Sequence, residues 1–233
     1  MATTISTDSP KLTADVASRA EVYGGRGLVF DGASDYLTLG VVDELKGGSQ
    51  KTISAWINNE DTNNTTFLGN TQSGGHCMDI YNNEIGVNFH NGSYNPCRTS
   101  DWSINTWHHV VGTYDNRYIK LYIDGELKKT VDSGSNADLT SVNVAFLIGA
   151  EVDADSTPSS KYVNGTMSDV KIWNTALTEA EIKAQYLHPE SVQNQSNLVL
   201  WLPMCEGLAQ SVAYDHSGNN NHAVEGGGSS YTL

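Results

Sequence analysis

The sequence predicts an all-β sandwich of two antiparallel sheets with one short helix. Three observations carry that prediction. Apolar and polar residues alternate with a period of two through many short runs, Gly, Asn and Asp punctuate those runs, and only 17% of the 233 residues are charged. Alternation marks a strand with one buried face, and closely spaced turns favour a sandwich or jelly roll.

The elements follow in chain order. Strand signals begin at Leu28–Phe30 and Tyr36–Leu39. Thr52–Ile57 places Ile53, Ala55 and Ile57 on one face. His76–Tyr81 and Ile85–His90 flank Asn82-Asn83, a turn pair, and Trp107–Tyr114 comes next. Tyr118–Asp124 sets Ile119, Leu121 and Ile123 against Tyr118, Lys120 and Tyr122. Asp124-Gly125 is a two-residue type-I′ signal, so Glu126–Val131 returns as its hairpin partner. Further strands are predicted at Val144–Ile148, Val163–Trp173 and Leu198–Leu202. Trp56, Trp107, Trp173 and Trp201 fall within these patterns and read as core.

The one helix is announced by a capping box at Thr178-Glu179-Ala180-Glu181. Leu177 and Ile182 form a hydrophobic staple, Ile182 and Tyr186 share a face, and Pro189 marks the end. The spacing predicts a capping helix over about 178–187, strapped across one end of the sandwich.

A chain of this length suits a single β domain. Residues 1–22 read as a polar N-terminal arm and 23–233 as one domain. Met1 to Glu21 shows neither a basic nor an apolar signal region, and no run reaches the roughly 18 apolar residues of a membrane span. The formal charge of −14 argues against nucleic acid, which requires a basic face, and against anionic membranes. Cys77, Cys97 and Cys205 read as small buried hydrophobes, with a Cys77–Cys97 bridge left open.

Catalytic patterns are weak. Glu151-Val152-Asp153-Ala154-Asp155 has the parity to align carboxylates, yet it runs into the loop composition Ser156–Ser160 and reads as an acidic rim. His108 and His109 must face opposite sides of their strand, so they are expected to be structural. The chain is therefore expected not to be an enzyme. A sugar site needs an exposed aromatic platform flanked by planar polar groups. Asn91–Pro96 with Arg98 and Trp102 offers this, so Tyr94, Asn95, Arg98 and Trp102 are the carbohydrate-binding candidates. The same segment also reads as a plain strand connector.

Four phrases in order resemble the laminin-G-like, concanavalin A-like jelly rolls, which are related to the pentraxins. They are Leu28–Leu37, Trp107–Asp115, Leu121–Leu127, and Asn164–Trp173 with the helix that follows. The resemblance implies a concanavalin A-like jelly-roll β-sandwich and carbohydrate binding as the commonest role. It also implies a structural calcium ion, with Asp169 as side-chain ligand and Asp31, Gly32 (through its carbonyl) and Asp215 as further candidates.

One departure stands out. The family's opening phrases come last here, at Leu198–Gly207 and Asp215–His222, so 196–233 supplies a permuted or exchanged edge strand. Exchange would make a homo-oligomer. A permuted strand would dock in its own domain, and the segment also reads as the start of a truncated repeat. Glu21 to Gly32 resembles the segment preceding such units on phage tails and capsids. The expected setting is thus a virion, binding host-surface carbohydrate or neighbouring subunits. A purely structural decoration protein and a secreted carbohydrate-binding domain compete with that reading.

Overall fold

A computed structural model describes residues 27–71, 74–134, 136–204 and 212–226. The expected N-terminal arm, Cys205 and the end of the Leu198–Gly207 phrase lie outside the described residues. Fifteen strands are present among them. They are β1 (Leu28–Asp31), β2 (Leu37–Thr38), β3 (Lys51–Asn59), β4 (Thr65–Gly69), β5 (His76–Tyr81), β6 (Glu84–His90), β7 (Tyr94–Thr99) and β8 (His108–Tyr114). Then come β9 (Tyr118–Ile123), β10 (Glu126–Asp132), β11 (Leu147–Ile148), β12 (Asn164–Trp173), β13 (Leu198–Leu202), β14 (Val212–Ala213) and β15 (Ala223–Glu225). One α-helix, α1 (Glu179–Leu187), joins β12 to β13.

The strands form two antiparallel sheets, as a jelly-roll sandwich requires. The first sheet runs β1-β12-β3-β8-β9-β10, with β13 also on β12; the second runs β14-β15-β2-β11-β4-β5-β6-β7. Inward side chains of both sheets make one core. Ile53, Ala55, Ile57, Val110 and Leu121 of the first meet Met78, Ile80, Ile85, Val87 and Phe89 of the second. Asp124 and Gly125 both adopt positive φ, 54° and 76°, as the predicted type-I′ hairpin demands, and Asn82 and Asn83 do the same at 52° and 65°. Cys77 and Cys97 are both buried free thiols, so no bridge joins them.

β12 is long enough to need two partners on one edge. β1 covers Asn164–Met167, and β13 of the same chain covers Val170–Trp173. At the junction a bulge interrupts the pairing with β3, and Asp169 sits there at φ 52° with its N–H donated to Pro203 O. The C-terminal segment reaches the other sheet as well, because β15 pairs with β2.

The helix is capped as predicted: Glu181 N donates to Thr178 Oγ1 at 3.3 Å, and Thr178 N donates to Glu181 Oε2 at 2.7 Å. Its position differs from expectation. α1 lies on the outer face of the first sheet, where Leu177 and Ile182 pack with Val111, Tyr122 and Trp173. Tyr186 stacks on Trp56 at 5.7 Å between ring centroids. Trp56 and Trp173 are therefore buried beneath the helix rather than between the sheets, since both occupy outward positions of their strands.

Two buried histidines are expected to give the fold a pH dependence. His109, under α1, is bonded to Ser54 Oγ through Nε2 at 2.9 Å, and burial drives its pKa down to about 3. His76 stacks near Phe89 and Phe146 in the core, and neither of its ring nitrogens has a hydrogen-bond partner among the described residues. Burial also pushes His76 well below its ordinary value. Both folded pKa values lie below the unfolded value of about 6.5, so the unfolded chain binds the extra protons. Stability is expected to be complete above that pH and to fall as pH drops through it, by up to about 1.4 kcal/mol per pH unit for each histidine. Urea unfolding at pH 7 and pH 5 checks this, with a shallower slope expected for His76→Leu. Equal midpoints at the two pH values would contradict it.

Candidate functional site

Strand parity sorts the sugar-site candidates onto two faces. In β7, Tyr94 and Arg98 point outward, whereas Cys97 enters the core. Asn95 shares the parity of Cys97 and ties down its own turn, donating to Asn91 Oδ1 at 2.7 Å and Ser93 O at 2.9 Å. Trp102 packs against the core edge and donates its indole N–H to Asn83 O at 3.1 Å. The structure thus brings Tyr94 and Arg98 together and leaves Asn95 and Trp102 apart from them.

Tyr94 and Arg98 belong to a built site on the outer face of the second sheet. The register places Thr66, Asp79, Gly86 and Arg98 side by side across β4, β5, β6 and β7. Arg98 crosses Gly86 to reach Asp79, donating from Nε to Oδ1 at 2.9 Å and from Nη2 to Oδ2 at 2.5 Å. Only a glycine permits this path. A Cβ on Gly86 would stand 2.7 Å from Arg98 Cγ and closer still to the Cys97 carbonyl oxygen.

The same guanidinium fixes two aromatic rings. It lies 5.4 Å from the centre of the Tyr81 ring and 6.0 Å from that of Tyr94, and Nη2 donates to Tyr94 Oη at 3.0 Å. Tyr81 and Tyr94 are nonetheless 45% and 55% exposed, so each keeps ring surface open to solvent. Burial pushes the Asp79 carboxyl up, and the hydrogen bonds and charge of Arg98 oppose that rise.

Beside this pair lies a second one. Lys161 Nζ donates to Glu151 Oε1 at 2.5 Å, and Ser159 Oγ donates to Glu151 Oε2 at 3.2 Å. Burial opposes the charge on Lys161, but the hydrogen bond to Glu151 and the attraction of its carboxylate outweigh it and raise the pKa. Asp79, Tyr81, His90, Tyr94, Glu151 and Lys161 help to line a cavity of about 280 Å³. That volume sits at the low end of small-molecule sites.

The calcium candidates do not fit a calcium site. Both oxygens of Asp169 already have donors: Oδ2 accepts from Lys171 Nζ at 2.6 Å and Oδ1 from Trp201 Nε1 at 2.8 Å. A buried ammonium therefore already supplies its positive charge. Burial pushes Asp169 up and Lys171 down, each toward its neutral form, and their mutual attraction opposes both shifts. Asp31 closes a turn, its Oδ1 accepting from the backbone of Ala33, Ser34 and Asp35. Burial opposes ionisation of Asp31, yet these N–H groups outweigh it and hold the pKa at about 2. Gly32 follows at φ 72° and donates its N–H to Val163 O. Asp215 accepts from Trp201 N and Ser217 N through Oδ1, and from Ser217 Oγ and Asn221 N through Oδ2. Among the described residues no three His, Cys, Asp or Glu side chains converge as metal ligands.

His108 and His109 do face opposite ways. His108 Nδ1 lies 2.8 Å from Asp124 Oδ2 and its Nε2 accepts the Ser103 N–H at 3.3 Å, which pins a loop to the β9–β10 turn. No helix of the described residues is long and apolar enough to cross a membrane.

The family profile of the concanavalin A-like lectin/glucanase superfamily matches residues 31–183. The chain belongs to that superfamily. Among solved structures it resembles a Bacteroides ovatus protein named as a candidate carbohydrate binder, with TM-score 0.67 and 21% identity. That match covers 88% of this chain and 58% of the other, so this superfamily member spans little more than half of its neighbour. It also resembles the heptameric SAP-like pentraxin of Limulus polyphemus, with TM-score 0.54, 16% identity, and 68% and 80% of the two chains covered. No curated protein matches the sequence. At these identities the neighbours establish the fold alone.

Proposed function

We propose that this chain is a non-enzymatic carbohydrate-binding module whose sugar rests in the outer cavity of the second sheet. One observation carries the reading: Tyr81 and Tyr94, both half exposed, line a cavity together with Asp79, Glu151 and Lys161, and Arg98 behind the two rings holds Asp79 in place. A pyranose presents apolar CH faces to such rings and hydroxyls to such charged groups. Superfamily membership and the Bacteroides neighbour support the same class. The non-enzymatic part rests on the carboxylates, since Asp79 and Glu151 each bond to a cation. A glycosidase acid must instead hold a proton to give. The setting we infer is a virion surface, and it rests on the resemblance of Glu21–Gly32 to phage appendages.

A glycan array probed with the full chain tests the reading. Binding is expected for the parent and is expected to fall by about thirtyfold or more in Tyr81→Ala/Tyr94→Ala, because truncating a central aromatic costs about 2 kcal/mol. Undiminished binding by the double variant would move the site elsewhere. No binding by the parent would favour a decoration protein that contacts virion subunits. Release of reducing sugar from bound glycans would overturn the non-enzymatic assignment.

A further inference from the structure

Resting on that reading, we infer that the cavity selects uncharged saccharides and takes them without a divalent cation. The argument is one of charge balance. The two carboxylates of the site, Asp79 and Glu151, each bond to a cation of the chain itself, Arg98 and Lys161. The Asp79–Arg98 pair is almost fully buried and the Glu151–Lys161 pair is about two-thirds buried. A calcium ion gathers six to eight oxygens, largely anionic ones. Here it would have to displace an arginine fork and an ammonium, with both cations left nearby to repel it.

An acidic sugar meets the opposite difficulty. A uronate or sulfate needs a cation whose charge is not already met. Lys161, which lines this cavity, and Arg98, which lies behind Asp79, each have a carboxylate partner, and the chain as a whole carries −14, which repels anions at longer range. An uncharged pyranose meets neither penalty. Its hydroxyls donate to the remaining lone pairs of Glu151 and accept from Lys161, while its CH face covers Tyr81 or Tyr94. Hydrogen bonds to charged groups are among the stronger ones, so no metal is required to supply affinity. The volume of about 280 Å³ suits one sugar ring.

Calorimetric titration of the full chain with neutral hexosides and with the matching uronides tests this, each in chelator and again with added calcium. The hexosides are expected to bind equally in both buffers and the uronides to bind at least about tenfold more weakly. Glu151→Gln removes the charge facing Lys161, so it is expected to shift selectivity toward uronides by about tenfold, a change that lost packing alone would not produce. Preference of the parent for uronides, or hexoside binding lost in chelator and restored by calcium, would overturn the inference and leave carbohydrate binding standing. Binding of neither series would overturn both.

Discussion

Lys171→Ala is expected to destabilise the fold by about 3–5 kcal/mol, the cost of stranding a buried charge. Lys171 is 1% exposed, and its ammonium donates to Asp169 Oδ2 at 2.6 Å, Gln185 Oε1 at 3.2 Å and Pro189 O at 2.7 Å. It also lies 5.1 Å from the centre of the Trp201 ring. These contacts join β12, α1, the segment after it and β13, so one side chain fastens the helix and the C-terminal strand to the first sheet. Removing it takes away the attraction that favours the Asp169 carboxylate and leaves that carboxyl in a buried site with Trp201 as its remaining side-chain hydrogen-bond donor. Total stabilities of roughly 5–15 kcal/mol are usual, so the loss would be a large share of the whole. Asp169→Asn with Lys171→Met is expected to recover part of the stability, because the pair then leaves no unpaired charge and asparagine tolerates the φ of 52° at this position. Urea denaturation of the three proteins measures this. A cost below about 1 kcal/mol for Lys171→Ala would mean that the pair behaves as an exposed one.

The second large effect is expected at Arg98. Arg98→Lys keeps the charge but cannot supply two donors to Asp79 and a third to Tyr94 Oη from one planar group. Loss of that fork frees Tyr81 and Tyr94 from their common anchor, and sugar affinity is expected to fall by at least about tenfold while the fold persists. Gly86→Ala should also lower affinity while keeping every charged group, with a loss of stability besides, since its methyl would meet the Cys97 carbonyl oxygen as well as the path of the Arg98 side chain. Calorimetric titration alongside thermal melting separates loss of binding from loss of folding. Parent-like affinity in both variants would show that the rings need no such anchor.

How far the sequence can be read depends on the distance over which each feature is determined. Period-two alternation and the Asp124-Gly125 turn are local, so β3, β5, β6, β8, β9 and β10 are legible, as is the Thr178–Glu181 cap. β7 reads as a loop in the sequence because Pro96 lies within it. Proline is tolerated there only because β7 is the edge strand of its sheet, and edge position is set by topology. The site is half legible for the same reason. Tyr94 and Arg98 stand out as an aromatic beside a planar cation, but their companions Asp79, Glu151 and Lys161 are brought in by pairings across the sheet and by a distant loop. One local signal exists: outward parity in β5 puts Asp79 and Tyr81 on one face. The family resemblance points to calcium at Asp169. Its neighbour two residues on, Lys171, is the sign within the sequence that the charge is met internally.

The most direct test of the sugar site is amide chemical-shift mapping of the full chain with the tightest-binding neutral sugar. The largest changes are expected on the outer face of β5 and β7 and around Glu151 and Lys161, centred on Asp79, Tyr81, Tyr94 and Arg98. Changes centred instead on Trp102, on the helix-covered face of the first sheet, or on the Asp215–His222 loop would contradict it.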